Sequence, residues 1–323
     1  MGKKKVVTSS GAEVRQKSLG LRIKNNLGYY VMFLPVLVFL FIFNYWPMFG
    51  IRYAFYDYKP VGAKVFVGMK HFQNMFSPEK GDAFKTAFWN TLELSIGKLL
   101  LTTFTAVIVS IFLNEMGNLF AKKILQTIIY LPHFMSWAVV AAIFSLFLSP
   151  STTGMVNGLL RDWGILAEDA KNIYFLADEK WWVPIFHLIN IWKETGWGTI
   201  IFLATLSGIN PELYEAADID GATRLQKMRF VTFPALGNTI LTVLILNLAK
   251  VMNMFESVFV LYNNAVYSVS DVLATYIYRQ TFAIALPNYG YSIAVGLFRS
   301  LVGCFLVIVC NFASKKVRGR GIV

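Results

Sequence analysis

Six long apolar stretches, at about 29–49, 92–113, 124–148, 183–206, 236–262 and 291–312, constrain this chain more than any other feature. Each matches or exceeds the ~20 residues a helix needs to cross roughly 30 Å of hydrocarbon. Only 15% of the 323 residues are charged and 56% are hydrophobic, whereas about a quarter of a soluble domain is charged. The expected fold is an all-α membrane protein with six transmembrane helices.

Charge sets the expected orientation. Lys3, Lys4, Lys5, Arg15, Lys17, Arg22 and Lys24 stand against a single acid, Glu13, ahead of the first stretch, and Lys315, Lys316, Arg318 and Arg320 follow the last. Under the positive-inside rule both ends lie in the cytoplasm (N-in, C-in), although Arg52, Lys59, Lys64, Lys70, Lys80 and Lys85 in the first outer loop run against the bias. Residues 1–28 then form a flexible basic cytoplasmic tail, 29–313 the six-span domain and 314–323 a second basic tail. The first stretch is too long for a signal-peptide core and lacks a small-x-small cleavage site, so it reads as a retained anchor. Anionic membrane lipid accounts for the net charge of +12, because the basic residues are spread over tails and loops with no folded basic domain to hold nucleic acid. Cys304 and Cys310 both fall in the last stretch and imply neither a disulfide framework nor a metal site.

A polar island at 207–235 interrupts the apolar pattern. Asn210 suits an N-cap and Pro211 the first helical position, so a short helix begins there with Glu212 and Glu215 near its positive end. Asp220-Gly221 breaks that helix. Thr223 and Gln226 have capping-box spacing and open a second short helix, which Pro234 is expected to end before the fifth apolar run. The product is a cytoplasmic helix-turn-helix elbow between spans four and five.

The order Glu215-Ala216-Ala217, Gly221, Val231, Phe233, Pro234 resembles the EAA loop of ABC importer permeases. Phe66-Val67-Gly68-Met69-Lys70-His71-Phe72 resembles a Val-Gly-Leu-x-x-Phe stretch of the carbohydrate-uptake (maltose-type, binding-protein-dependent) permeases, and 261–279 resembles their oligosaccharide and polysaccharide-fragment subgroup. Phe233 and Val231 stand where Leu and Ile are usual, and both remain apolar. The resemblance implies a multi-pass subunit of the bacterial plasma (inner) membrane, paired with a second permease as a heterodimer on two ATPase subunits. It also implies an extracytoplasmic solute-binding protein that delivers a sugar or oligosaccharide. ATP and Mg belong to the ATPases, with no cofactor in this chain. Glu215, Ala216, Ala217, Asp220, Gly221, Ala222 and Pro234 would carry the coupling to the ATPase.

The intramembrane polar groups suggest where a solute passes. Trp192, Lys193, Glu194 and Trp197 are an odd set for a lipid-facing helix. Aromatic faces stack on the C–H faces of sugar rings and the charged groups bond hydroxyls, which suits a wet path for a polyol. A tight helix crossing through Gly196 and Gly198, with the charges paired internally, accounts for the same residues. In the fifth run Asn247, Lys250, Asn253 and Glu256 follow one another at three-residue spacing, a polar stripe aimed at a cavity or a neighbouring subunit. Lys98 in the second span should face other helices. Pro132 should kink the third span and free a backbone carbonyl, with His133 beside it as hydrogen-bonded filler or a proton relay. His187 lacks a third ligand for a metal, and His71 lies in a loop. Trp181-Trp182 should sit at the outer interface, and Ser268 with Asp271 should cap a short external helix.

No phosphate loop, G-x-S-x-G elbow, H-E-x-x-H helix or Cys/His cluster occurs, so no catalytic residue is assigned and ATP hydrolysis falls to separate subunits. The alternative is an ion-coupled secondary transporter or channel that uses Glu93, Glu194, Glu256 and Lys250, which leaves the elbow unexplained.

Overall fold

The computed structural model describes residues 6–7, 13–14, 19–62, 64–78, 81–151 and 154–318. Half of the N-terminal tail and residues 319–323 of the C-terminal one lie outside these. Contacts divide the chain into two compact units, 1–53 and 54–323.

In the first unit a short helix, Leu19–Asn25, precedes Leu27–Leu40, which continues through a π turn, Phe41–Tyr45, into the 3-10 segment Trp46–Phe55. None of Leu27–Leu40 is buried, and its Tyr, Phe, Leu and Val side chains cover the surface all round. A helix apolar on every face has lipid as its solvent.

The second unit is built on two long helices, Asp82–Glu115 and Glu179–Ser207, packed along each other. Small residues permit the approach. A Cβ on Gly198 would meet Ala106 Cβ at 2.8 Å, and one on Gly97 would meet the His187 ring at 2.7 Å. Thr105 and Thr195 share a hydroxyl hydrogen bond of 2.9 Å across the same seam. The tight-crossing reading of Gly198 is therefore what the helices show.

Three apolar clusters surround this pair. One joins Leu94, Trp182, Phe186 and Ile189 to Val258, Leu261 and Val272; a second joins Met75, Phe84 and Ala87 to Met252, Leu273, Ala294 and Val295; a third joins Ala106 and Phe202 to Leu236. Trp182 departs from the interfacial position expected of it. It is wholly buried, stacked on Phe186, and its indole N–H donates to the Leu261 carbonyl at 3.1 Å. Only Trp181 keeps an exposed ring. His71 is likewise no loop residue: it lies buried in the helix Lys70–Phe76 and pairs with the Tyr56 carbonyl at 2.9 Å.

Among the described residues four helices are long and apolar enough to cross a membrane: Leu27–Phe55, Asp82–Glu115, Arg224–Leu248 and Tyr289–Lys316. The third apolar run is not one straight span. It breaks between Leu119–Phe134 and Trp137–Phe147 with a bend of 101°, far beyond an ordinary proline kink, and counted as one span it makes a fifth. The fourth run forms the 29-residue helix Glu179–Ser207, about 43 Å long at 1.5 Å per residue, whose charges set it apart from the purely apolar helices.

The fifth run departs most from expectation. Its helix, Phe233–Leu248, ends well before residue 262, and the chain continues as a 3-10 turn, Val251–Asn253, and a single turn, Glu256–Phe259. Polar side chains every third residue could not keep a continuous apolar wall here. Pro234 does not stop the preceding helix either: helical backbone runs unbroken over 224–248. A π turn, Met228–Thr232, lies just before it, in which the Phe233 N–H reaches back to the Met228 carbonyl. The wider turn gives the proline ring room that a regular helix would deny it.

Candidate functional site

The break in the third run is held from the neighbouring long helix. A turn that stops one helix and starts another strands carbonyls, which in a membrane must find a donor. Lys193 supplies it. Its Nζ donates to the His133 carbonyl at 2.8 Å and lies 3.5 Å from the Pro132 carbonyl, and the side chain is buried. Beside it Glu194 Oε2 pairs with His133 Nδ1 at 3.0 Å, and the His133 ring lies flat on Trp197, 4.9 Å between centroids and 10° between planes. Gly196 completes the contact: a Cβ there would stand 2.2 Å from the Ile129 carbonyl oxygen. After the break, Ser136 accepts from the Val139 N–H and caps the new helix.

A cavity of about 910 Å³ opens next to this knot. Its walls come from both long helices, from 243–257 and from Trp137 at the start of the helix after the break, and they include Lys98, Thr102, Glu194, Trp197, Asn247, Lys250, Asn253 and Glu256. Four of the six residues proposed for a solute path thus share one cavity: Glu194, Trp197, Asn253 and Glu256. The other two do not line it. Trp192 sets its ring edge-on to Phe144 at 5.4 Å, and Lys193 is spent on the break. Asn247, Lys250, Asn253 and Glu256 do converge there, but from a helix end, a 3-10 turn and a fresh helical turn, not from one face of a helix.

Sequence reasoning placed Lys98 among helices but missed Trp137, whose ring has the Lys98 Nζ at 5.5 Å and the Lys193 Nζ at 5.4 Å from its centroid. Nothing in its local pattern, an apolar helix start, distinguishes Trp137 from a lipid-facing tryptophan. Among the described residues no group of three or more His, Cys, Asp or Glu could hold a metal.

The elbow has the expected local grammar. Its first helix is Glu212–Ile219, with Asn210 Oδ1 accepting from the Glu212 N–H at 3.2 Å. Gly221 has φ +73°, a left-handed turn that favours glycine. Thr223 and Gln226 make the reciprocal capping box of the second helix. Two tertiary ties then brace the bracket: Tyr214 OH to Thr232 Oγ1 at 3.0 Å, and Lys227 Nζ to Asp218 at 2.6 Å. Its outer surface is bare, with Leu213, Ile219 (87% exposed), Leu225 and Phe230 all presented. Glu215, Ala216, Asp220 and Gly221 are exposed, Ala217 and Ala222 half-buried. The Glu215 carboxylate bonds no described residue, so it does not cap the elbow locally.

On the far side of the second unit, Asp271 is buried and accepts from Thr275 Oγ1 at 2.8 Å and from Arg279. Burial pushes its carboxyl above the ordinary range, while Arg279 and Thr275 pull it back down. Ser268 is not the expected cap. Its hydroxyl donates to Glu179, and the helix Leu273–Phe282 begins after Val272.

Charged and aromatic groups gathered round a cavity between lipid-compatible helices, with a braced elbow left uncovered, define a membrane permease subunit. The chain belongs to the family described as binding-protein-dependent transport system inner membrane component, which it matches over residues 103–319. It is 38% identical over 305 residues to protein LplB of Bacillus subtilis (strain 168), covering 93% of this chain and 92% of that protein. Identity to the polygalacturonan/rhamnogalacturonan transport system permease protein YteP of the same organism is 36% over 312 residues, covering 95% and 94%. Among solved structures, a bacterial alginate ABC transporter in complex with alginate pentasaccharide-bound periplasmic protein contains a chain of the same fold, with TM-score 0.84 and 36% identity, covering 95% of this chain and all of that one. The chain is therefore an ABC importer permease component of the inner membrane, which answers the ion-coupled alternative.

Proposed function

We propose that this permease carries a sugar or oligosaccharide, delivered by an extracytoplasmic binding protein, through a path it forms with a second, different permease. Six spans with both ends in the cytoplasm agree with the charge bias, if the broken third run and the charged Glu179–Ser207 helix each cross once. That orientation puts the elbow on the side where two ATPase subunits, holding ATP and Mg, would bind it. The saccharide rests on what relatives are named for, and on a cavity that offers indole faces with hydroxyl-bonding side chains.

The observation that carries the coupling role is the braced, uncovered elbow. A lever must be stiff and must have a free face. The Tyr214–Thr232 and Lys227–Asp218 ties give stiffness, and Leu213, Ile219 and Leu225 with the unpaired Glu215 give the face. ATP-driven closure of the ATPases would move the bracket as one piece and exchange an inward-facing for an outward-facing cavity.

The test is solute-stimulated ATPase activity of the reconstituted complex, wild type against Glu215→Lys and Gly221→Asp. Weakened assembly or hydrolysis that no longer answers to solute is the expected result. Wild-type transport by both variants, or transport without any ATPase, would remove the coupling role.

A further inference from the structure

We propose that His133 is the positioning residue of the solute site: its ring holds Trp197 and Glu194 in one fixed arrangement on the cavity wall, an inference that rests on the saccharide reading above. His133 is not among the residues that line the cavity. It stands where the third run breaks, and it meets one turn of the helix Glu179–Ser207 through three groups. Its carbonyl accepts from the Lys193 ammonium at 2.8 Å, its Nδ1 pairs with Glu194 Oε2 at 3.0 Å, and its ring lies on Trp197 with 10° between planes. Gly196, in the same turn, sets how close the two backbones come, because an added Cβ would stand 2.2 Å from the Ile129 carbonyl oxygen.

Glu194 and Trp197, three positions apart on one helical face, do line the cavity. Side chains on such a wall ordinarily sample several rotamers, and a solute that lands on them must still each one. Here both are held before any solute arrives. Imidazole covers one face of the indole, and half of the Trp197 surface is left open. Among the described residues Glu194 makes one hydrogen bond, through Oε2, so Oε1 keeps its lone pairs for a hydroxyl. An indole with an acceptor oxygen one turn away suits a saccharide ring, whose C–H face stacks while its rim hydroxyls donate. This arrangement needs the His133 side chain, whereas the tie that holds the break needs only its carbonyl.

The assembled complex, without its binding protein, is titrated calorimetrically with trigalacturonate and with arabinotriose, one charged saccharide and one neutral. Holding a side chain in place beforehand is worth about two- to tenfold in affinity, so with two released His133→Ala should bind whichever saccharide wild type takes about tenfold more weakly. His133→Phe keeps the stack and His133→Gln keeps a donor for Glu194, and each should recover part of the loss. In a Trp197→Ala background, where only Glu194 is left to hold, removing His133 should cost no more than about threefold. A residue that merely filled space would show no such dependence on Trp197. Where His133→Ala prevents assembly, the Phe and Gln variants carry the comparison, each weaker than wild type by about two- to tenfold. Unchanged affinity in the assembled variants, or the same loss with Trp197 present and absent, overturns the proposal and leaves the saccharide reading standing. A wild-type complex that binds neither saccharide removes both.

Discussion

The ammonium of Lys193 lies 2.8 Å from the carbonyl oxygen of His133, sixty positions earlier in the chain. That one bond joins a long straight helix to the place where its neighbour breaks and turns through 101°. It explains how a lysine can be buried at membrane depth without a carboxylate, since its charge is spent on carbonyls that the break would otherwise strand.

Replacing Lys193 by Met should therefore cost more than replacing an exposed lysine. Stranding the two carbonyls is worth about 1–3 kcal/mol, a loss of several degrees in the unfolding temperature of the purified complex. Lys193→Arg, which keeps donors but not their geometry, should fall between. An unfolding temperature for Lys193→Met equal to that of wild type would show that the break holds itself.

Gly196→Ala should be the most damaging single methyl in the Glu179–Ser207 helix. The new Cβ would stand 2.2 Å from a backbone oxygen, which cannot swing aside as a side-chain tip can. Overpacking of this kind costs about 1–3 kcal/mol and should shift the broken segment away from Trp197. At Gly158, in the helix Met155–Asp162, nothing lies within 4 Å of an added Cβ, and Ala there should be neutral or stabilising by a few tenths of a kcal/mol. Thermal unfolding of the two variants side by side makes the comparison.

The elbow ties predict a separation of stability from coupling. The Lys227–Asp218 pair is solvent-facing on the Asp218 side and worth under about 1 kcal/mol, so Lys227→Ala should leave unfolding nearly unchanged. A looser bracket should nevertheless transmit less motion, raising the ATP hydrolysed per solute imported. Thr223→Ala removes the cap of the second helix, about 1 kcal/mol, and should act in the same direction. Unchanged stoichiometry in both would mean that bracket stiffness is irrelevant to transport.

Asp271 predicts a pH dependence of definite sign. Its carboxyl is held above the ordinary range in the folded state, so the folded protein takes up this proton more readily than the unfolded chain. Its contribution to stability is full below the unfolded value and is lost as pH rises through the folded one. The stability of wild type relative to Asp271→Asn should accordingly grow as pH is lowered from neutrality toward the aspartate range. A difference that shrinks on acidification would mean the Arg279 pairing outweighs burial.

Some of this protein could be read residue by residue. Apolar length alone dictates a helical membrane chain, because a backbone in lipid must bond to itself. The elbow was legible for the same reason of locality: Asn210, Gly221, Thr223 and Gln226 act on neighbours within four residues, so spacing is enough to show what they do. What neighbours in space decide stayed hidden. Lys193 and Lys98 look alike in sequence, yet one is consumed by carbonyls sixty residues away and the other is left facing a cavity. The Asn247-to-Glu256 stripe had the period of a helix, but only packing against the long helices, where Ser95 Oγ donates to the Val251 carbonyl at 2.7 Å, gives the unwound backbone there a donor it could not find in lipid. Desolvation of a charge or a free carbonyl is settled by whatever the fold brings beside it, and that lies beyond any local pattern.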